Sequence, residues 1–130
     1  MADPIWITAE MVQVIHDDQT ATHGGAYGLR DAGLLSSAIA RARNRYVDEG
    51  ADMGELAAAY GYGIAKHHPF VDGNKRTAFQ VMYAFLKVHG FSLNAPEPEV
   101  VLVMQALAAG ELSEVQLSEV QLADWLKRYT

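Results

Sequence analysis

The apolar residues of this chain recur at helical spacing along most of its length. Thr8 can cap a first helix, in which Ile7, Met11, Val14 and Ile15 fall on one face and which ends among Asp17, Asp18 and Gln19. Leu35, Ala38, Ile39, Ala42 and Tyr46 make the face of a second helix from about Asp31. A third starts near Asp52, with Glu55 as a capping-box-like partner, and is striped by Leu56, Ala59, Tyr60, Gly63, Ile64 and His67. Its Ala58, Ala59, Gly61 and Gly63 are small enough to let another helix approach closely. A fourth runs from Asn74 to His89, with Ala78, Val81, Met82, Phe85 and Leu86 on one face. Phe79, Tyr83, Ala84 and Val88 lie on its other faces, so it is apolar almost all round and belongs in the middle of the domain. Gly90 is a C-cap signal, and Phe91 to Ala95 form a short crossing. A fifth helix begins near Pro98, with Glu97 and Glu99 at its positive end and Val100, Val103, Met104 and Leu107 on its face; Gly110 closes it.

The last segment repeats LSEVQ at 112–116 and 117–121. Five residues is not a whole number of turns, so the two copies cannot share a face. Either Ser113 with Gln116 or Ser118 with Gln121 can cap a sixth helix, whose Leu122, Trp125, Leu126 and Tyr129 are core-spaced. No stretch alternates with period two. The pattern predicts an all-α fold, one domain over residues 1–130, with about six helices wrapped around the helix from Asn74 to His89.

The chemistry concentrates just before that helix, in HPFVDGNKRTAF, His68 to Phe79. Asn74 is a good N-cap, and Gly73 lets the backbone turn tightly before it. The first N–H groups of a helix lack intrahelical partners, and the dipole adds positive charge there. Lys75 and Arg76 on that first turn are unfavourable for the helix alone. They make sense if an anion binds in front of them, as phosphates do. Asp72 could share a magnesium ion with such phosphates. His68 has a side chain suited to proton abstraction near neutrality. It precedes Pro69, which disfavours helical geometry, whereas His67 continues the apolar stripe and reads as a buried, hydrogen-bonded core residue. A metal site from His67, His68 and Asp72 ranks low, because adjacent helical residues point about 100° apart.

Elsewhere the signals are bland. The run HGGAYGLRDAG, His23 to Gly33, fits neither the dinucleotide fingerprint nor the P-loop, and reads better as a tight interhelix connection than as a ligand loop. Arg41, Arg43 and Arg45 read as a solvated basic face rather than a docking surface.

Composition narrows the classes. The 130 residues are half apolar and one-fifth charged, enough for one soluble core. The net charge of −6 argues against direct nucleic-acid binding. The chain has no cysteine, which excludes disulfides and thiolate metal sites. MADPIWITAE is neither a signal peptide nor a spanning segment, so no membrane association and a cytoplasmic location are expected.

The loop resembles the signature of the Fic/Doc superfamily, His-x-Phe-x-Asp/Glu-Gly-Asn followed by a basic stretch. HGGAYGLRDAGLLSSAIARA, LAAAYGYGIAKHHPF, FLKVHGFSL, AAGELSEV and WLKRYT also resemble its death-on-curing branch, so the similarity covers nearly the whole chain. The resemblance implies an all-helical fold and transfer of part of a nucleoside triphosphate to a protein hydroxyl, by the toxin of a bacterial toxin–antitoxin pair. Position by position, it makes His68 the base, Phe70 the loop anchor and Asp72 the magnesium ligand. Gly73 and Asn74 become part of the phosphate nest, and Lys75 and Arg76 the phosphate-binding cations. Adenylylating Fic proteins usually carry glycine where this chain has Lys75 and a second arginine where it has Phe79. The departure implies the kinase branch, in which the γ-phosphoryl group of ATP passes to elongation factor Tu and stops translation. Transfer of AMP is the alternative, and an inactive domain that binds nucleotide or a partner is a second. The resemblance also implies a small antitoxin. The Ser/Thr-x-x-x-Glu pattern of a self-inhibiting helix is not found, since Ser113 is followed four residues on by Leu117 and Ser118 by Leu122. Inhibition in trans is therefore expected.

Overall fold

The computed structural model describes residues 3–108 and 118–130. They form six helices: α1 (Ala9–His23), α2 (Ala32–Glu49), α3 (Met53–His67), α4 (Asn74–Val88), α5 (Glu97–Ala108) and α6 (Glu119–Arg128). Among the described residues no strand forms, as the sequence predicts.

Caps account for most of the boundaries. The Thr8 hydroxyl accepts from Met11 N–H, and the Met11 sulfur closes the box from the other side. Asp31 accepts from Leu34 N–H at the start of α2, and Asp52 and Glu55 form a full capping box on α3. Ser118 and Gln121 cap α6, which chooses the second LSEVQ copy; the Ser113 and Gln116 alternative and the Gly110 stop lie outside the described residues. Helix α5 begins at Glu97, one residue before the expected start, after Pro96 supplies its carbonyl to Glu99 and Val100.

Helix α3 is the most completely buried element. Every residue from Leu56 to Gly61 is buried, and so are Gly63, Ile64 and Ala65. Helices α2, α4, α5 and α6 pack around it. The predicted centre, α4, lies beside it and buries Ala78, Val81, Met82, Phe85 and Leu86, while Lys87 and Val88 face solvent. The reason is size. A Cβ on Gly61 would lie 2.2 Å from the Met82 sulfur, and one on Gly63 would lie 3.0 Å from Ala38 Cα. Glycine at these two positions lets α4 and α2 approach the α3 backbone closely, as the small residues predict.

Several expectations fail. Helix α1 does not end at Asp17 to Gln19 but continues to His23, where Gly24 closes it with φ 83°. Asp17 and Asp18 simply face water. Its core face is Val12, His16 and Thr20, while Met11 and Val14 are exposed. The arginines of α2 are a solvated face only in part: Arg43 is exposed and Arg41 partly so, but none is left to water alone. Arg41 and Arg45 both pair with Glu119 of α6, and Arg45 also reaches Glu49 and Glu55. Arg43 lies over the Trp6 ring. His67 is not a buried, hydrogen-bonded core residue. It is half-buried and faces a second, smaller cleft between α2 and the start of α6.

Candidate active site

Helices α3 and α4 are joined by the loop 68–73, and every part of that loop is held from outside. His68 ends α3 with φ 50° and ψ 57°, and is the one non-glycine residue among those described with positive φ. Arg30 steadies this turn: its Nε donates to the His68 carbonyl at 2.8 Å and its Nη2 to the His67 carbonyl at 2.9 Å. A cation at the C-terminal end of a helix also suits the dipole. The main chain of the glycine-rich run pairs with the loop. Arg30 and Asp31 N–H groups donate to the Pro69 carbonyl, Val71 N–H donates to the Gly28 carbonyl, and Leu29 and Phe70 form an isolated antiparallel bridge.

Phe70 is 2 % exposed and stacks on the His16 ring, with centroids 3.9 Å apart and planes 5° from parallel. Asn74 corrects an expectation. The N-cap is Gly73, in the left-handed region at φ 75°, and Asn74 is the first helical residue. The Asn74 side chain is buried and turned back on the loop. Its Oδ1 accepts from Phe70 N–H at 2.9 Å and its Nδ2 donates to the Phe70 carbonyl at 3.0 Å. The amide is thereby committed to closing the loop, and what Asn74 can offer an anion is its backbone N–H.

No side chain caps α4. The N–H groups of Asn74, Lys75 and Arg76 therefore lie on a first turn without intrahelical acceptors, at the positive end of the helix. Lys75 is exposed, and among the described residues it has no carboxylate within ion-pair distance. Arg76 donates from Nη2 to the Gly24 carbonyl at 3.0 Å, and its Nε is buried without a partner. Asp72 accepts from Gly73 N–H on Oδ1 at 2.8 Å and from Ala26 N–H on Oδ2 at 3.3 Å. A Cβ on Gly25 would lie 2.6 Å from that Oδ2, so Gly25 is glycine both for its φ of 109° and for space.

These groups line one side of a cleft of about 770 Å³. His68 is on its wall with Asp72, Gly73, Asn74, Lys75 and Arg76. Val101, Met104 and Gln105 of α5 and His23 to Gly25 at the end of α1 line it as well. The volume lies within the usual range for small-molecule sites. His68 is exposed to the cleft, and partial desolvation there lowers its pKa, helped by the nearby charges of Arg30, Lys75 and Lys66, which favours the neutral imidazole.

A magnesium ion fits here with conditions. Among the described residues no group of three or more His, Asp or Glu could hold a metal. A carboxylate has about four acceptor positions, and the two backbone N–H groups on Asp72 leave room for a cation. Asp72 would supply one protein ligand, with phosphate oxygens and water completing the octahedron that magnesium prefers. His67 does not belong to this cleft, which rules out the His67, His68 and Asp72 cluster.

The sequence profile of the Fic/DOC family matches residues 6–86, more than half of the chain. The chain belongs to the Fic/Doc family. A relative from Escherichia phage P1, named protein kinase doc, is 33% identical over 123 residues, which covers 94% of this chain and 93% of that protein. Toxin Doc of Mycolicibacterium smegmatis is 40% identical over 74 residues, covering 55% of this chain and 57% of its own. Within this Fic/Doc chain the family match includes the whole loop, together with α1 to α3 and most of α4.

Three contributors were out of reach of the motif. His16, Arg30 and Gly25 reach the loop from far away in sequence, through contacts 56, 38 and 47 positions apart for the pairs His16–Asp72, Arg30–His68 and Gly25–Asp72. Only His16 left a trace, as a polar residue on the spacing Val12, His16, Thr20.

Proposed function

We propose that this protein is a Doc-like toxin and a protein kinase, which transfers the γ-phosphoryl group of ATP to a hydroxyl of a translation factor, elongation factor Tu. The observation that carries this reading is the start of α4. Free N–H groups, Lys75 and Arg76 converge there on one wall of a cleft that also holds a neutral histidine. That wall suits a polyphosphate, and the names of the relatives from phage P1 and Mycolicibacterium smegmatis agree with a kinase and a toxin.

His68 takes the proton of the acceptor hydroxyl as that oxygen bonds to the γ-phosphorus. The bond from the γ-phosphorus to the bridging oxygen breaks, and ADP leaves with the electron pair. Lys75, Arg76 and the first-turn N–H groups hold the phosphates in place and offset their charge. Positioning and charge neutralisation are most of what phosphoryl transfer needs. Magnesium, bound through Asp72, would add charge neutralisation on the phosphates. Between rounds the activity is held in check by a small antitoxin acting in trans, and the protein works in the bacterial cytoplasm. No described helix is long and apolar enough to cross a membrane.

The test is intact mass spectrometry of elongation factor Tu incubated with this protein, ATP and magnesium, beside a His68→Ala control. The expected result is a gain of one phosphoryl group that is absent with the variant. An adenylyl-sized gain would replace the kinase reading with nucleotidyl transfer. No gain, with bacterial growth arrested equally by wild type and His68→Ala, would point to a non-enzymatic toxin.

A further inference from the structure

His16 is 56 residues from Asp72 in sequence, yet it touches the centre of the site. Its side chain is 1 % exposed. Its Nε2 lies 2.7 Å from the main-chain carbonyl oxygen of Asp72, close enough for a strong hydrogen bond. A carbonyl oxygen can only accept, so Nε2 carries the proton. The other face of the contact is Gly73, where a Cβ would come within 3.7 Å of the same nitrogen. His16 therefore sits against the Asp72–Gly73 peptide, the last one before α4.

That peptide has two ends with opposite effects on an anion. Its carbonyl would repel a phosphate, and its N–H holds the Asp72 carboxylate. In a planar trans peptide the two point in opposite directions. His16 is buried, so the Asp72 carbonyl it binds is turned into the protein. The Gly73 N–H is then turned the other way, where Asp72 Oδ1 accepts it at 2.8 Å. The Asp72 carboxylate is thus oriented from both sides, by its own peptide and by Ala26 N–H. We infer that His16 is a positioning residue: by holding the Asp72 carbonyl inward it sets the Asp72–Gly73 peptide, and with it the carboxylate and the N–H groups that face the phosphates. The inference rests on the reading of the cleft as a nucleoside triphosphate site.

The competing role is packing, since the His16 ring stacks on Phe70. Two substitutions separate the roles. His16→Phe keeps an aromatic ring for the stack and removes the donor. His16→Gln loses the ring and places an N–H near the position of Nε2. A donor role predicts that ATP binds about tenfold or more weakly to His16→Phe, the usual scale for a buried acceptor left unpaired. It also predicts that His16→Gln recovers most of the affinity, and that the KM for ATP rises in His16→Phe more than kcat falls. A packing role predicts the reverse order, with Phe tolerated and Gln the weaker binder, and would overturn the inference.

A ligand-free crystal structure of His16→Phe gives a reading that does not depend on nucleotide. A rotated Asp72–Gly73 peptide, restored in His16→Gln, supports the inference. An unchanged peptide overturns it, whatever the affinities. If the peptide rotates while the wild-type protein binds no ATP, His16 keeps its positioning role and the nucleotide reading of the cleft is the one that fails.

Discussion

Two clusters of cations lie on this molecule, and they are treated in opposite ways. Arg41 and Arg45 of α2 share Glu119, Arg45 also meets Glu49 and Glu55, and Lys127 of α6 meets Asp52 at 2.7 Å. Their charges are matched within the fold, and the match ties α2 and α3 to α6. At the start of α4, among the described residues, no carboxylate pairs with Lys75 and Arg76 has a single carbonyl. Like charge also meets the positive end of the helix there. A cluster whose charges are spent on one another holds a fold together. A cluster left uncompensated at a rigid helix start costs stability and is available to something else. The contrast singles out the start of α4 as the candidate site without reference to any motif.

The contrast can be broken in order of size. His68→Ala should lower the transfer rate by about 10²-fold or more, the usual contribution of a general base, with an unchanged helical circular dichroism spectrum. A variant as fast as wild type would remove His68 from the chemistry. Lys75→Ala and Arg76→Ala should each weaken ATP binding by about tenfold or more, since a hydrogen bond to a charged group contributes about 1.5–3 kcal/mol. Titration calorimetry reads this directly. At the other cluster, Glu119→Gln should cost about 1–3 kcal/mol in urea unfolding, because it removes a 12 % exposed carboxylate that Arg41 and Arg45 share, with only Arg45 keeping Glu49 and Glu55, and should leave ATP affinity alone.

A pH profile of kcat/KM sharpens the assignment of His68. Burial first, and then Arg30, Lys75 and Lys66, lower its pKa from the ordinary 6.5, and only the neutral form could serve as the proposed base. Activity should therefore hold as pH falls past 6.5 and be lost below it. An acid limb centred above 6.5 would contradict that environment. The smallest effect is on stability: Lys75→Ala should raise it by about 0.3–1 kcal/mol, as relief of an unfavourable charge at the helix start. If Lys75→Ala were instead destabilising, the lysine would be part of the scaffold and the two clusters would be alike.

Much of this was legible from residue spacing. The faces of α2, α3 and α6 were, because their buried positions are apolar. The face of α1 was not. Its core stripe contains His16 and Thr20, while Met11 and Val14 are apolar and exposed, so hydrophobicity points to the wrong side. Asp17 and Asp18 looked like an ending but are only the wet face of a helix that continues to Gly24. That His68 and the residues from Asp72 to Arg76 share one cleft was legible because they are nearly contiguous. Asn74 was misplaced by one position because its amide could satisfy either a cap or a neighbouring backbone, and the loop at Phe70 takes it. The fate of Arg45 depends on a carboxylate 74 residues away, which spacing does not reveal.

The backbone of His68 has a consequence for descent. Position 68 sits at the end of α3 with φ 50°, where glycine or asparagine is at ease and histidine is not. His68→Gly should abolish transfer while making the fold more stable by up to about 1 kcal/mol. Selection for chemistry and selection for folding therefore pull this codon in opposite directions. In lineages where the toxin has fallen silent, glycine or asparagine should accumulate here before the core decays, and a single residue would date the loss.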